Sequence, residues 1–142
     1  MSDQYVASIL VVDDEKEIQA TLARSLKYKG YDVDTASSVA EAKQLLNKKI
    51  YDVVVSDIVM PNETGVELLR HIRDQFPMIK VIMMTGYVTL ENALTCMRKG
   101  AETLVFKPIN DMHELEESIK KASDSIKNWK KKLLELKNMK VD

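Results

Sequence analysis

Between residues 8 and 109, short runs rich in β-branched residues alternate with longer stretches of helical periodicity. That alternation restricts the chain to very few architectures. It predicts strands at Ser8–Val12, Asp32–Thr35, Val53–Ser56, Val81–Met84 and Thr103–Phe106, each followed by a helix. The first helix, over Lys16–Lys29, carries Ile18, Leu22 and Leu26 at a spacing of four, and Gly30 supplies its stop. The second opens at Ser38, with Glu41 three residues on to complete a capping box, and runs to Lys49. The third spans Thr64–Gln75 and ends before Pro77, the fourth spans Leu90–Lys99 and ends at Gly100, and the last opens near Asp111. Ile9–Val12 and Val53–Val55 are apolar at consecutive positions, as strands buried on both faces of a parallel sheet require. Repeated βα units with right-handed crossovers then give an α/β, doubly wound (βα)5 fold.

A chain of 142 residues has room for one such domain and no second full one. With 45% hydrophobic and 30% charged residues it is of the globular type. Its 21 basic and 22 acidic side chains nearly cancel, so no global field draws it to nucleic acid or to a membrane surface. The lone Cys96 excludes an internal disulfide and a multi-thiolate metal site. The opening MSDQYVASILVVDDE lacks a basic n-region and its apolar run is short, so the expected location is cytoplasmic, with no membrane partner.

Ligands of open α/β sheets bind at the carboxyl ends of the strands. The first strand runs into Asp13, Asp14 and Glu15; the third ends at Asp57; the fourth at Thr85–Gly86; the fifth at Lys107–Pro108. Any one of these acids taken singly reads more readily as a helix cap. Together, carboxylates arriving from neighbouring strands repel one another unless a cation sits between them. An all-oxygen cluster selects a hard ion, and Mg2+ takes few protein ligands while keeping several waters. The expected site is Mg2+ held by Asp14 and Asp57, with Asp13 acting through water. Lys107 adds a positive charge and Thr85 a hydroxyl on the opposite side, which together surround a phosphoryl group in the way its transfer requires.

The ILVVDDE opening, the SDIVMP segment around Asp57, the MMTGY segment and the LVFKP segment occur in one order and at set separations. In these the chain resembles the receiver (CheY-like) domain of two-component response regulators, over roughly residues 7–122. The resemblance implies a flavodoxin-like sheet of order 2-1-3-4-5, Asp57 as phospho-acceptor, Asp13 and Asp14 serving the metal, and Thr85 and Lys107 touching the phosphoryl group. It further implies that the backbone carbonyl of Val59 completes the metal shell and that Lys107–Pro108 is a cis peptide. The phosphoryl group is expected from a phosphohistidine on a cognate histidine kinase, the domain catalysing only its own labelling and dephosphorylation. An output domain or a downstream protein then reads the change. At Leu104 the family often places Tyr or Phe as a rotating switch, so the signal is expected to pass through Thr85 and the following loop while Leu104 shifts little. Phe106, by strand alternation, points to the face opposite Lys107. Tyr87 and Val59 stand where bulk limits water entry, which predicts slow autodephosphorylation.

The last helix is longer than this fold needs: Leu115, Ile119, Ala122, Ile126, Trp129, Leu133 and Leu136 alternate spacings of four and three. Residues 1–123 are assigned to the receiver domain and 124–142 to an extended C-terminal helix. Ile126, Trp129, Leu133 and Leu136 are expected to be exposed in a monomer. Two uses stand open: a connecting helix towards an output domain, or a homodimerisation surface. Lys130–Lys132 reads as a solvated face and not as a nucleic-acid site. His71 and His113 read as solvated or partly packed, Cys96 as a small buried residue, and the methionines, Met83, Met84 and Met97 among them, as core fillers. The runner-up function is a Mg2+-dependent phosphohydrolase of the haloacid-dehalogenase type. That chemistry needs Asp-x-Asp after the first strand and a substrate cap, whereas here the strand ends Asp-Asp-Glu. A flavodoxin-like FMN protein shares the architecture, but three acids would repel the phosphate where a Ser, Thr and Gly-rich loop is required.

Overall fold

The computed structural model describes residues 5–86, 89–109 and 111–139. The elements alternate as β1 (Ser8–Val12), α1 (Lys16–Tyr28), β2 (Asp32–Ala36), α2 (Val39–Lys48) and β3 (Val53–Asp57). They continue as α3 (Gly65–Gln75), β4 (Lys80–Thr85), α4 (Leu90–Arg98), β5 (Thr103–Phe106) and α5 (His113–Asn138). The strands form one sheet of order β2-β1-β3-β4-β5, with every pair parallel. This is the predicted doubly wound fold: the strand bounds, the helix starts and the ends of α1 to α4 fall within two residues of the expectation, while α5 ends at Asn138 where the extended helix was expected over 124–142.

Side-chain alternation along the strands splits the interior into two cores. Leu10, Val12, Val54, Val81 and Met83 face α2, α3 and α4, whereas Ile9, Val11, Val55, Ile82 and Val105 face α1 and α5. Each helix turns its apolar stripe to the sheet, as with Leu22 and Leu26 of α1 or Leu68 and Ile72 of α3. Ser38, Thr64 and Thr89 cap α2, α3 and α4 by accepting from Glu41, Glu67 and Asn92 backbone N–H groups. The Glu41 carboxylate reaches back one residue further than a capping box requires, accepting from Ser37 N–H at 2.6 Å. Gly30 (φ 100°) and Gly100 (φ 92°) close α1 and α4 in the left-handed region.

Two expectations about packing are corrected. Ile126 is buried, 2% exposed, because α5 stays on the sheet one turn longer than expected and seats this side chain in the α1–α5 core. Met97 lies on the outer side of α4 at 65% exposure and fills no core, unlike Met83 and Met84. Past Ile126 the helix continues to Asn138, with Trp129, Leu133 and Leu136 exposed as expected. Lys130 is not a purely solvated residue. Its Nζ lies 3.1 Å from Oδ1 of the buried Asp52 and 5.2 Å from the centre of the Tyr5 ring. Asp52 Oδ2 in turn accepts from Ser8 N–H at 2.9 Å, so the extended helix is fastened where β1 and β3 begin. Among the described residues no helix is long and apolar enough to cross a membrane.

Candidate functional site

Strand register brings the polar groups together. Val12 pairs with Ser56, so Asp13 and Asp57 emerge side by side; Asp57 pairs with Met84 and Thr85 with Phe106, so Thr85 and Lys107 follow in steps across the same edge. Parity decides which face each takes. Asp13, Asp57 and Lys107 follow Val11, Val55 and Val105 by two residues and share the α1–α5 side, whereas Thr85 shares the side of Met83. Phe106 follows Leu104 by two, away from Lys107 as expected, and is 60% exposed.

Lys107 Nζ bridges two buried acids, at 2.7 Å from Asp13 Oδ2 and 3.0 Å from Asp57 Oδ2, with Glu15 Oε1 at 3.6 Å. Asp13 Oδ1 accepts from Glu15 N–H at 2.9 Å, and Asp57 Oδ1 from Val59 N–H at 3.3 Å. The lysine side chain is only 10% exposed, so water screens these pairs little. Burial pushes the Asp57 carboxyl above its ordinary value and the charge of Asp13 adds to the rise, with Lys107 pulling back without cancelling it. For Lys107, burial works downward, but the hydrogen bonds to Asp13 and Asp57 outweigh it and hold the ammonium above its ordinary value.

Asp14 is exposed, yet carboxylate oxygens of Asp13, Asp14 and Asp57 all lie within 4.8 Å of one another. Three hard oxygen donors at that spacing suit a small divalent cation better than they suit one another. Thr85 is buried at the end of β4, and its carbonyl accepts from Lys107 N–H at 2.8 Å. The Lys107–Pro108 peptide is cis, as expected. Val59 is exposed beside Asp57. Tyr87, to which slow dephosphorylation was partly assigned, lies outside the described residues.

One residue at this site escaped the sequence reading. A Cβ on Gly65 would overlap the backbone carbonyl of Asp57, so only glycine lets α3 start this close beneath the strand end. Its own N–H donates to Ile58 O at 2.8 Å, tying the helix to the residue after Asp57. The available signal was a glycine at the first position of a helix already capped by Thr64, where other residues serve better.

The profile of the response regulator receiver domain matches residues 9–120. The DNA-binding transcriptional regulator NtrC of Escherichia coli is 36% identical over 102 residues, covering 72% of this chain and 22% of NtrC. The chain spans 22% to 28% of the length of such curated relatives. Among solved structures, a CheY-like response regulator receiver domain protein of Methanospirillum hungatei superposes with a TM-score of 0.83 at 31% identity, covering 87% of this chain and 98% of that one. The response regulator TrrA of Thermotoga maritima, in complex with Mg2+ and BeF, gives 0.75 at 36% identity, covering 82% and 99%.

Proposed function

The chain belongs to the response regulator receiver family, and from that membership we propose that Asp57 accepts a phosphoryl group from the phosphohistidine of a cognate histidine kinase. The carrying observation is the Lys107 ammonium held between Asp13 and Asp57 at a sheet edge where three carboxylates converge. In the transfer, the P–N bond to the kinase histidine breaks as a P–O bond to an Asp57 oxygen forms, giving an acyl phosphate. Asp14, Asp57 and the Val59 carbonyl would hold Mg2+, with Asp13 acting through water. That ion would supply charge neutralisation on the phosphoryl oxygens. Lys107 Nζ, 3.0 Å from Asp57 Oδ2, is placed to pair with a phosphoryl group on this carboxylate, and Thr85 offers a hydroxyl from the other face of the sheet. Family membership favours this reading over the phosphohydrolase.

The added charge at Asp57 is read by an output domain or a separate protein. The exposed Trp129, Leu133 and Leu136 on α5 support association of two copies through the tail. Light scattering should show a mass that rises with concentration; a monomer at all concentrations overturns the dimer.

The acceptor is tested by incubating the protein with Mg2+ and a small phosphodonor and weighing it intact. One added phosphoryl group is expected, absent without Mg2+ and absent in Asp57→Asn. A gain that persists in Asp57→Asn overturns the assignment.

A further inference from the structure

The inward face of α1 consists of Leu22, Ala23 and Leu26, and one polar side chain, Gln19, joins them at 5% exposure. A primary amide taken out of water is costly unless its N–H groups find acceptors. Gln19 Nε2 donates to the backbone carbonyl of Asp13, with Ala36 O at 3.3 Å and Ser37 Oγ at 2.9 Å. These acceptors belong to two loops. The Asp13 carbonyl lies in the peptide that joins the two neighbouring acids, and Ala36–Ser37 leads from β2 towards the cap of α2.

The second loop is itself fixed. Ala36 O accepts from Asp13 N–H at 3.0 Å, Ser37 Oγ also accepts from Lys16 Nζ at 2.7 Å, and Ser37 N–H is bound by Glu41. The Asp13 carboxylate has its own restraints in Lys107 and the Glu15 N–H. Asp14 follows directly on the pinned peptide, and rotation of that peptide would shift its carboxylate relative to the Asp57 oxygen it now lies within 4.8 Å of.

We propose that Gln19 is a positioning residue for the metal site: by clamping the Asp13–Asp14 peptide to the β2–α2 loop, it fixes Asp14 where it completes the donor set with Asp57. The inference rests on the reading of this site as a Mg2+ site. Outer residues that orient ligands are commonly worth about tenfold or more in metal affinity.

The test is the Mg2+ dissociation constant, by calorimetry, of wild type, Gln19→Leu, Gln19→Arg and Ser37→Ala, alongside thermal melting in EDTA. Leucine keeps the apolar volume and removes the donors; the guanidinium retains N–H groups for the same carbonyls. Gln19→Leu should weaken Mg2+ binding about tenfold, with Gln19→Arg recovering most of it. A Gln19→Leu protein that melts differently yet binds Mg2+ as wild type does would reduce Gln19 to a packing role and overturn the proposal. If Gln19→Leu fails to fold, Ser37→Ala decides: a weaker Mg2+ affinity upholds the clamp and an unchanged one overturns it. Wild type that binds no Mg2+ at all would instead remove the metal reading on which the inference stands.

Discussion

Gly65 sits directly beneath the backbone carbonyl of Asp57, in space that no side chain can share. The helix that follows β3 is thereby packed against Asp57, the proposed acceptor. Gly65→Ala should push the start of α3 off the strand end, at a cost of about 1–3 kcal/mol from overpacking. Because the displaced atoms are those of Asp57, phosphorylation by a small phosphodonor should slow by more than the loss of stability explains. Urea unfolding and the labelling rate, measured on the same samples, check both parts.

Lys107 is the positive charge shared by Asp13 and Asp57. Lys107→Ala leaves two buried acids facing each other, which should cost about 3 kcal/mol in the absence of metal. A divalent cation among the acids should compensate, so the rise in melting temperature on adding Mg2+ is expected to be larger in Lys107→Ala than in wild type. Equal shifts would mean that the lysine does not hold the acid pair together.

Away from the site, Asp34 accepts from Tyr51 Oη at 2.7 Å and from Lys49 Nζ at 3.0 Å. Tyr51, ahead of Lys49, holds the Asp34 carboxyl below its ordinary value of 3.8. A depressed carboxyl contributes stability in full above its unfolded value and loses it as pH falls through the lower folded value. Melting temperatures followed from about pH 6 to about pH 2.5 should therefore drop more steeply in wild type than in Asp34→Asn.

Leu104 packs against the core beside α2, α3 and α4, partly buried. With neither a ring nor a polar tip, it gains little by exchanging one side of β5 for the other. Structures with and without a phosphate mimic such as beryllofluoride should show the same Leu104 rotamer and a displaced Thr85 segment. A rotated Leu104 would place the switch back on this side chain.

How much of this was legible in the sequence depended on the range of the interaction. β1 and β3 were readable because Ile9–Val12 and Val53–Val55 are apolar at every position, a local pattern that suits strands buried on both faces. Asp13, Asp57, Thr85 and Lys107 were readable because each directly ends or follows a strand. Gly65 and Gln19 were not, since a clash with Asp57 and a clamp on Asp13 exist only once distant segments have met. Ile126 was misjudged for the same reason: heptad spacing gives its place on the stripe but not where the sheet stops supporting that stripe.

The pairing of Lys130 with Asp52 gives the molecule a polarity. Asp52 immediately precedes β3 and Asp57 ends it, so the proposed phosphorylation site lies at one end of a strand while the long helix is moored at the other, about 17 Å away at roughly 3.3 Å per residue. The extended helix therefore meets the domain at the edge of the sheet opposite the carboxylate cluster, seated there by buried Ile126 and by the Lys130–Asp52 pair.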